Sequence, residues 1–422
     1  MNKKINLNET LDKIRSNSGL TNSPFALNEA LKGTKLYSNY DFIAESLNKL
    51  NSSSENEFLT YLYESADKFS ALTEICVLTF SNENSKLGGD VTTFSLPAGW
   101  TCPFADECLK KISRDRVIDP EKIGTSKISK TTGKEVPYKG DVEVTKGEGS
   151  QFDCFAANQE MQYDAVRANR WHNYDLLKAA YDENGIEGQV DLIIRSLKFH
   201  FDNERKTKQV RIHESGDFYN GKYLAAWLEV AKKMPDIHFY AYTKSIPLVK
   251  KREEEINNIP NFSLTLSVGG KKDNMLGDVN IKQAKVFESP EEILKSGLIL
   301  DLDDNLAKEK GGKESNFALL LHGTQKAGEK SQMKLRNETF IAYWKYRGFL
   351  NRSFNLPENT RITTDYAKEA LVYIKELEKN PIKGKRTPNL DFIQKLLRYT
   401  IKYNSYGFSD DLINILPVKY RP

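Results

Sequence analysis

Three of the four cysteines in this chain lie where thiol chemistry can be assembled. Cys102-Pro-Phe-Ala-Asp-Glu-Cys108 is a C-x5-C pair behind a Pro/Gly turn, and Cys154 comes 46 positions after Cys108. Thiolates are ligands for soft metals, and a loop can aim several sulfurs at one point. Three thiols without a fourth leave one coordination position open. In a [4Fe–4S] cluster the open iron takes a small ligand, whereas zinc takes His or water as its fourth ligand. The spacing matches neither zinc fingers nor ferredoxins, and free cysteines are among the most buried residues, so plain packing is the competing reading. For Cys76, inside a run of β-formers, packing is the preferred reading.

A second set of polar residues gathers just past the ends of apolar runs. In Arg211-Ile-His-Glu-Ser-Gly-Asp217, strand alternation puts Arg211 and His213 on one face. Asp217 either faces a ligand or caps the helix that follows. Lys244, past the next run, pairs with a substrate carboxylate or phosphate, or with Asp217. Ser267, Gly269 and Gly270 form a short backbone nest able to hold an anion. His322 is a ligand, a general base or a hydrogen-bonded core histidine. Arg167, Arg170, Trp171 and His172 share a helix that either stacks on a nucleotide base or is a half-buried face. Asp301 to Asp304 lacks the glycine and spacing of a calcium loop.

The elements that must position these groups follow from periodicity. Residues 1–70 read as a polar helical extension, with helices near 40–50 and 57–69. A strand is expected over 72–80, and a lysine-, threonine- and glycine-rich insert over about 112–149 reads as a flap. Helices follow at 158–181 and 190–201, then strand 209–213, helix 222–233, strand 237–242, a helix from Pro247, and strand 262–267. Shorter β-like runs lie at 284–287, 298–302 and 317–321. Strands alternating with helices mean a parallel sheet with right-handed crossovers, and the expected fold is an α/β full or partial (β/α) barrel over 71–330. Its sites gather at the C-terminal ends of the strands. Residues 331–422 form a C-terminal helical region, with helices at 338–349, 366–378 and 390–403.

Composition narrows the function classes. The 422 residues include 39% hydrophobic and 28% charged side chains, which suits a globular protein. No apolar run reaches the ~20 residues that span a bilayer, and the start lacks an apolar signal segment, so a cytoplasmic protein with no membrane partner is expected. The formal net charge of +4 is too small to mark a nucleic-acid binder by itself, although a local patch stays possible. Four cysteines in so long a chain form no disulfide framework.

Phe94-Ser-Leu-Pro-Ala-Gly-Trp-Thr-Cys-Pro-Phe-Ala-Asp-Glu-Cys108, Cys154-Phe-Ala156, Arg170-Trp-His-Asn173, Arg211-Ile-His-Glu-Ser-Gly-Asp-Phe218 and Phe239-Tyr-Ala-Tyr-Thr-Lys-Ser245 resemble, as an ordered set, the bacteriophage "gene product 88" family. Leu266-Ser-Val-Gly-Gly270 and Leu321-His-Gly-Thr-Gln325 extend the likeness, which covers about 70–330 and implies a phage or prophage origin. A fold-level likeness to the radical S-adenosylmethionine enzymes rests on three cysteines after the first barrel strand, the last followed by an aromatic residue and alanine. The intervals differ from the C-x3-C-x2-C of those enzymes. That likeness implies S-adenosylmethionine on the open iron, with Ser215, Gly216 and Asp217 receiving its amino group. The expected site then has Cys102, Cys108 and Cys154 as metal ligands, and His213, Asp217 and Lys244 as catalytic residues. Ser215, Gly216, Ser267, Gly269 and Gly270 contact the cofactor. With the phage resemblance, the expected substrate is a nucleotide or nucleic-acid base. The alternative is a nucleic-acid-binding or virion/host-interaction protein with a structural zinc or cluster site.

Overall fold

The computed structural model describes residues 77–82, 91–128, 135–203, 207–321, 329–356, 362–380, 390–403 and 410–417. The expected N-terminal helices, Cys76 and His322 lie outside them. The chain divides into two compact units. Of the described residues, the first holds 77–82, 91–263 and 269–279, and the second holds 264–268 and the rest from 280 onward.

In the first unit, β1 (Phe80–Ser81) pairs antiparallel with β2 (Thr92–Ser95), while β2, β7 (Gln209–Ser215) and β8 (His238–Thr243) run parallel side by side. Val210 and Ile212 of β7 and Phe239 and Ala241 of β8 are fully buried, as expected for parallel strands covered by helices. The crossover from β7 to β8 is α3 (Gly221–Lys233). Asn220 starts this helix, its Oδ1 accepting from the backbone N–H of Lys222 (3.0 Å) and Tyr223 (2.9 Å), and Lys232 and Lys233 sit at its negative end. Trp227 of α3 anchors the helix between Phe94 (5.6 Å between ring centroids) and Phe239 (6.1 Å).

Between β2 and β7 the chain makes an arm and two helices. The arm is an antiparallel pair, β3 (Lys110–Val117) with β6 (Asp141–Lys146), extended by the small hairpin of β4 (Ser126–Ile128) and β5 (Glu135–Pro137). The expected flap is therefore a hydrogen-bonded ribbon. Next come α1 (Phe155–Gln162) and α2 (Asp164–Asn203). The two helices expected at 158–181 and 190–201 are largely the two limbs of α2, which bends at Asn184 and Gly185, the latter at φ +58°. After β8 come α4 (Ile246–Lys250) and α5 (Glu253–Asn258).

The second unit has its own parallel strands in the order β9 (Phe262–Ser267), β10 (Gln283–Phe287), β12 (Phe317–Leu320) and β11 (Ile299–Leu300). Helix α6 (Pro290–Ser296) is capped by Ser289 and ended by Gly297, and α7 (Asn305–Lys308) is a single turn. The Asp301 carboxylate accepts from the N–H groups of Asp303 and Ala307, both at 3.3 Å, so Asp301 shapes the entry to α7. Helices α8 (Glu329–Ser353), α9 (Thr364–Lys379) and α10 (Leu390–Tyr403) enclose a core that includes Ala342, Leu350, Ile374 and Leu396. The fold is thus α/β with mostly parallel strands. No hydrogen-bonded pair among the described strands closes either series into a barrel.

Candidate functional site

Ser95, Ser215 and Thr243 end three adjacent parallel strands of the first unit, and the segments leaving those ends carry Cys102, Asp217 and Lys244. The start of the cysteine loop is locked to β7. Leu96 N–H donates to the Ser215 carbonyl (2.8 Å) and Ser215 Oγ donates to the Leu96 carbonyl (2.9 Å). Thr101 Oγ1 then bonds the Pro97 carbonyl at 2.8 Å, and Gly99 N–H points at Cys102 Sγ at 3.4 Å. Gly216 crosses close above at φ +90°, where a Cβ would lie 2.6 Å from Thr101 Oγ1. Only glycine fits that crossing.

The second thiol is placed by main-chain bonds. Ala105 bridges Gly270, Glu107 N–H donates to the Gly269 carbonyl (3.2 Å), and Lys271 N–H donates to the Phe104 carbonyl (2.8 Å). The Glu107 carbonyl accepts in turn from the N–H groups of Gln151 (2.8 Å) and Phe152 (3.2 Å), which brings the third thiol alongside. Cys154 is the residue that begins α1, and Asp153 before it is gripped by Lys110 (3.6 Å) and Lys146. Fully buried Glu160 joins the two thiol segments. Its Oε1 accepts from Ala98 N–H in the cysteine loop and from Arg170 Nη1, both at 2.8 Å, and Arg170 also donates to the Ala156 carbonyl.

Cys102 and Cys108 are both within electrostatic reach of Cys154 and of Asp217. Burial pushes Cys102 well above the usual thiol range, and the charges of Asp217, Cys154 and Cys108 push the same way. Burial raises Cys108 to about 11, opposed by Lys244 and reinforced by Cys154, Asp217 and Glu107. Cys154 is raised by burial too, although the backbone N–H groups of Ala157 and Ala156 at the start of α1 favour its thiolate. Among the described residues, no three His, Cys, Asp or Glu side chains are grouped as a site for a metal ion.

Asp217 is held tightly rather than capping α3, a role that belongs to Asn220. Its Oδ1 accepts from Phe218 N–H (2.7 Å) and Thr243 Oγ1 (2.5 Å), and its Oδ2 accepts from Lys244 N–H (2.8 Å). Burial still raises its carboxyl to about 6, against these bonds and the Lys244 charge. Lys244 therefore meets Asp217 through its backbone and its charge, and sits among Cys108, Gly270 and Asp217.

The other expected residues fall out differently. The β2–β7 register shifts between Thr93 and Ser95, and His213 takes φ +67°, so alternation fails and Arg211 and His213 do not share a face. Arg211 stacks on Tyr242 at 5.1 Å. His213 is buried, bonds Tyr223 Oη at 3.0 Å and meets Phe218 edge-on. Burial, then the Arg211 charge, lower its pKa to about 3, so it is a neutral core group. The Gly269–Gly270 nest exists but already has its anion, since their N–H groups donate to Asp273 Oδ2 (2.7 Å) and Oδ1 (2.9 Å). Ser267 ends β9 in the second unit. Arg167, Arg170 and His172 are spent on structure. Arg167 bonds the Glu160 carbonyl, Arg170 the Glu160 carboxylate, and His172 the Val77 carbonyl. Sequence reading overlooked Glu160, Lys110 and Asp153. Only the acidic residue next to Cys154 offered a local signal.

Among the described residues no helix is long and apolar enough to cross a membrane. No solved structure matches this chain. The chain is 33% identical over 91 residues to the Gene 88 protein of Mycobacterium phage L5, and 32% identical over 91 residues to the Gene 88 protein of Mycobacterium phage D29. Each match covers 22% of this chain and 38% of the relative, so the chain spans well under half the length of the curated relatives it matches. The Gene product 88 family profile matches residues 71–341, more than half of the sequence and all of the first unit's described residues. The chain belongs to the Gene product 88 family.

Proposed function

We propose that Cys102, Cys108 and Cys154 would hold a [4Fe–4S] cluster near Asp217 and Lys244, in a phage-type enzyme that uses S-adenosylmethionine on a nucleotide or nucleic-acid base. The observation that carries the reading is three half-buried thiols in the one connection from β2 to β7, each raised by burial, with Cys102 and Cys108 both within electrostatic reach of Cys154 and of Asp217. Lys244 at Cys108, and Arg170 and Lys110 at Cys154, are too little positive charge to offset the burial of three thiols beside Asp217 and Glu107. A bound metal supplies that charge and deprotonates the thiols. When bound, such a cluster supplies an electron to the ligand on its open iron.

The chain's own groups then have defined work. An ionised carboxylate has about four lone-pair directions. Asp217 uses three of them, which leaves one for an incoming ammonium. Such a cation relieves the burial that raises Asp217. Lys244 offers the opposite charge to a carboxylate beside it. His213 orients Tyr223 in this reading and exchanges no proton near neutral pH.

The test is anaerobic reconstitution followed by iron and sulfide analysis and a visible spectrum. About four irons and sulfides per chain, lost in Cys154→Ser, support the reading. Stoichiometric zinc with no iron uptake, or iron uptake unchanged in all three single Cys→Ser variants, refutes it. Full cluster occupancy without cleavage of S-adenosylmethionine removes the cofactor and keeps the cluster.

A further inference from the structure

The first unit carries a strip of rings and cations that the cysteine site does not use. Trp100, two residues before Cys102, is 49% exposed, although its indole Nε1 is tied to the Ile112 carbonyl at 2.8 Å. Lys111 lies over its ring at 4.9 Å. Trp100 touches Trp171 (5.9 Å between centroids), and Arg114 lies over Trp171 at 5.1 Å. Trp171 meets Tyr174 edge-on at 5.7 Å, and one face of α2 continues the row through exposed Lys178 to Tyr181. Lys222 caps the far end, 4.6 Å above the Tyr181 ring. From Trp171 to Tyr181 the helix rises about 15 Å.

The charges decide what such a strip suits. Arg114 is neutralised by Asp175, with Nη2 to Oδ2 at 2.6 Å. Lys111, Lys178 and Lys222 have no carboxylate partner among the described residues. Three uncompensated ammonium groups therefore alternate with half-buried or exposed aromatic rings. Such pairs arise about once per 70–80 residues in proteins, yet three of them lie along this strip. The strip ends beside a groove of about 1250 Å³ lined in part by Tyr181 and Lys222. Its lining also holds Lys250 to Arg252 and Glu253 to Glu255, so the groove itself is nearly neutral.

We propose that this strip is a track for single-stranded nucleic acid, with bases stacking on Trp100, Trp171 and Tyr174 and phosphates meeting Lys111, Lys178 and Lys222. Every base has a π-face, so aromatic platforms flanked by cations take single strands with little sequence preference. A duplex hides those faces. This inference stands apart from the cluster, since none of its residues is a thiol or a hydrogen-bond partner of Asp217.

The experiment is fluorescence anisotropy with a labelled oligothymidylate, its RNA counterpart and a duplex of equal length, at low and moderate salt. It is run on the intact chain and on Cys154→Ser, so that loss of the cluster and loss of the track are separable. Binding to single strands in both proteins is expected, falling with salt. Trp100→Ala should weaken it about tenfold. Because Trp100→Ala could disturb the cysteine loop, exposed Lys178→Glu is the second variant, expected to weaken binding several-fold and flatten the salt dependence. No single-strand binding at low salt, duplex binding as tight as single-strand binding, or affinity unchanged in both variants overturns the proposal.

Discussion

Replacing Arg170 by methionine tests how the thiol segments are held. Glu160 is fully buried and the Arg170 side chain is 5% exposed, with Nη1 to Oε1 at 2.8 Å. Removing the cation leaves the carboxylate without its charge partner, which costs about 3–5 kcal/mol for a buried pair. The same oxygen accepts from Ala98 N–H, so the loss reaches the loop that carries Cys102. Burial already raises the Glu160 carboxyl while Arg170 opposes it, and without Arg170 the folded-state pKa rises further. A carboxyl whose folded pKa lies above its unfolded value binds more protons when folded, so the variant should recover stability as pH falls toward the unfolded value near ~4.3. The double variant Glu160→Gln/Arg170→Met keeps an acceptor for Ala98 and buries no charge. It should cost clearly less than the single change. Urea unfolding followed by tryptophan fluorescence is the assay, because Trp100, Trp171 and Trp227, three of the four tryptophans, report on the first unit. A loss below about 1 kcal/mol in Arg170→Met, or a double variant no better than the single one, would refute the argument.

Two further outcomes are expected. His213→Asn keeps a residue that tolerates positive φ but removes a buried imidazole whose pKa falls to about 3. The wild type should therefore lose stability relative to the variant by up to ~1.4 kcal/mol per pH unit as pH drops below about 6.5, read as the difference between paired urea titrations. Gly269→Ala places a Cβ 2.3 Å from Glu107 Oε2 at φ +95°. Strain and displacement together should cost about 1–3 kcal/mol, measured by urea midpoint, and on the proposed cluster reading should also lower iron content through Cys108.

Much of the frame was legible because its signals are local. The strand runs expected at 209–213 and 262–267 became β7, which continues two residues further to Ser215, and β9, and the apolar spacing of 222–233 became α3. The thiols were legible by type alone. What failed depended on distant partners or on a single backbone angle. Nothing in Glu214-Ser-Gly-Asp-Phe-Tyr-Asn220 tells which of two helix-capping residue types starts α3, because the choice was made by Thr243 and Lys244 reaching Asp217 across β8. The positive φ of His213 follows from the register shift against β2, which period-two counting cannot see. The filled nest was within reach, since Asp273 lies only three and four residues beyond the glycines it binds.

The long interval between the second and third thiols is explained by the arm. Compact cysteine motifs use two or three intervening residues so that one turn aims every sulfur. Here 46 positions separate Cys108 from Cys154, yet the two segments are bound together at the Glu107 carbonyl by Gln151 and Phe152. Gly147 N–H closes on the Leu109 carbonyl at 2.9 Å, and Lys110 and Lys146, paired across the base of the ribbon, converge on Asp153. The ribbon is therefore an insertion with its ends clamped, and the distance along the chain says nothing about distance in space. The clamp also explains why the buried ammonium of Lys110 stands next to Cys154. It neutralises Asp153, fixes the start of α1 through Asn158, and leaves its remaining field on the thiol. Thiols placed by main-chain bonds and buried ion pairs do not need a short motif.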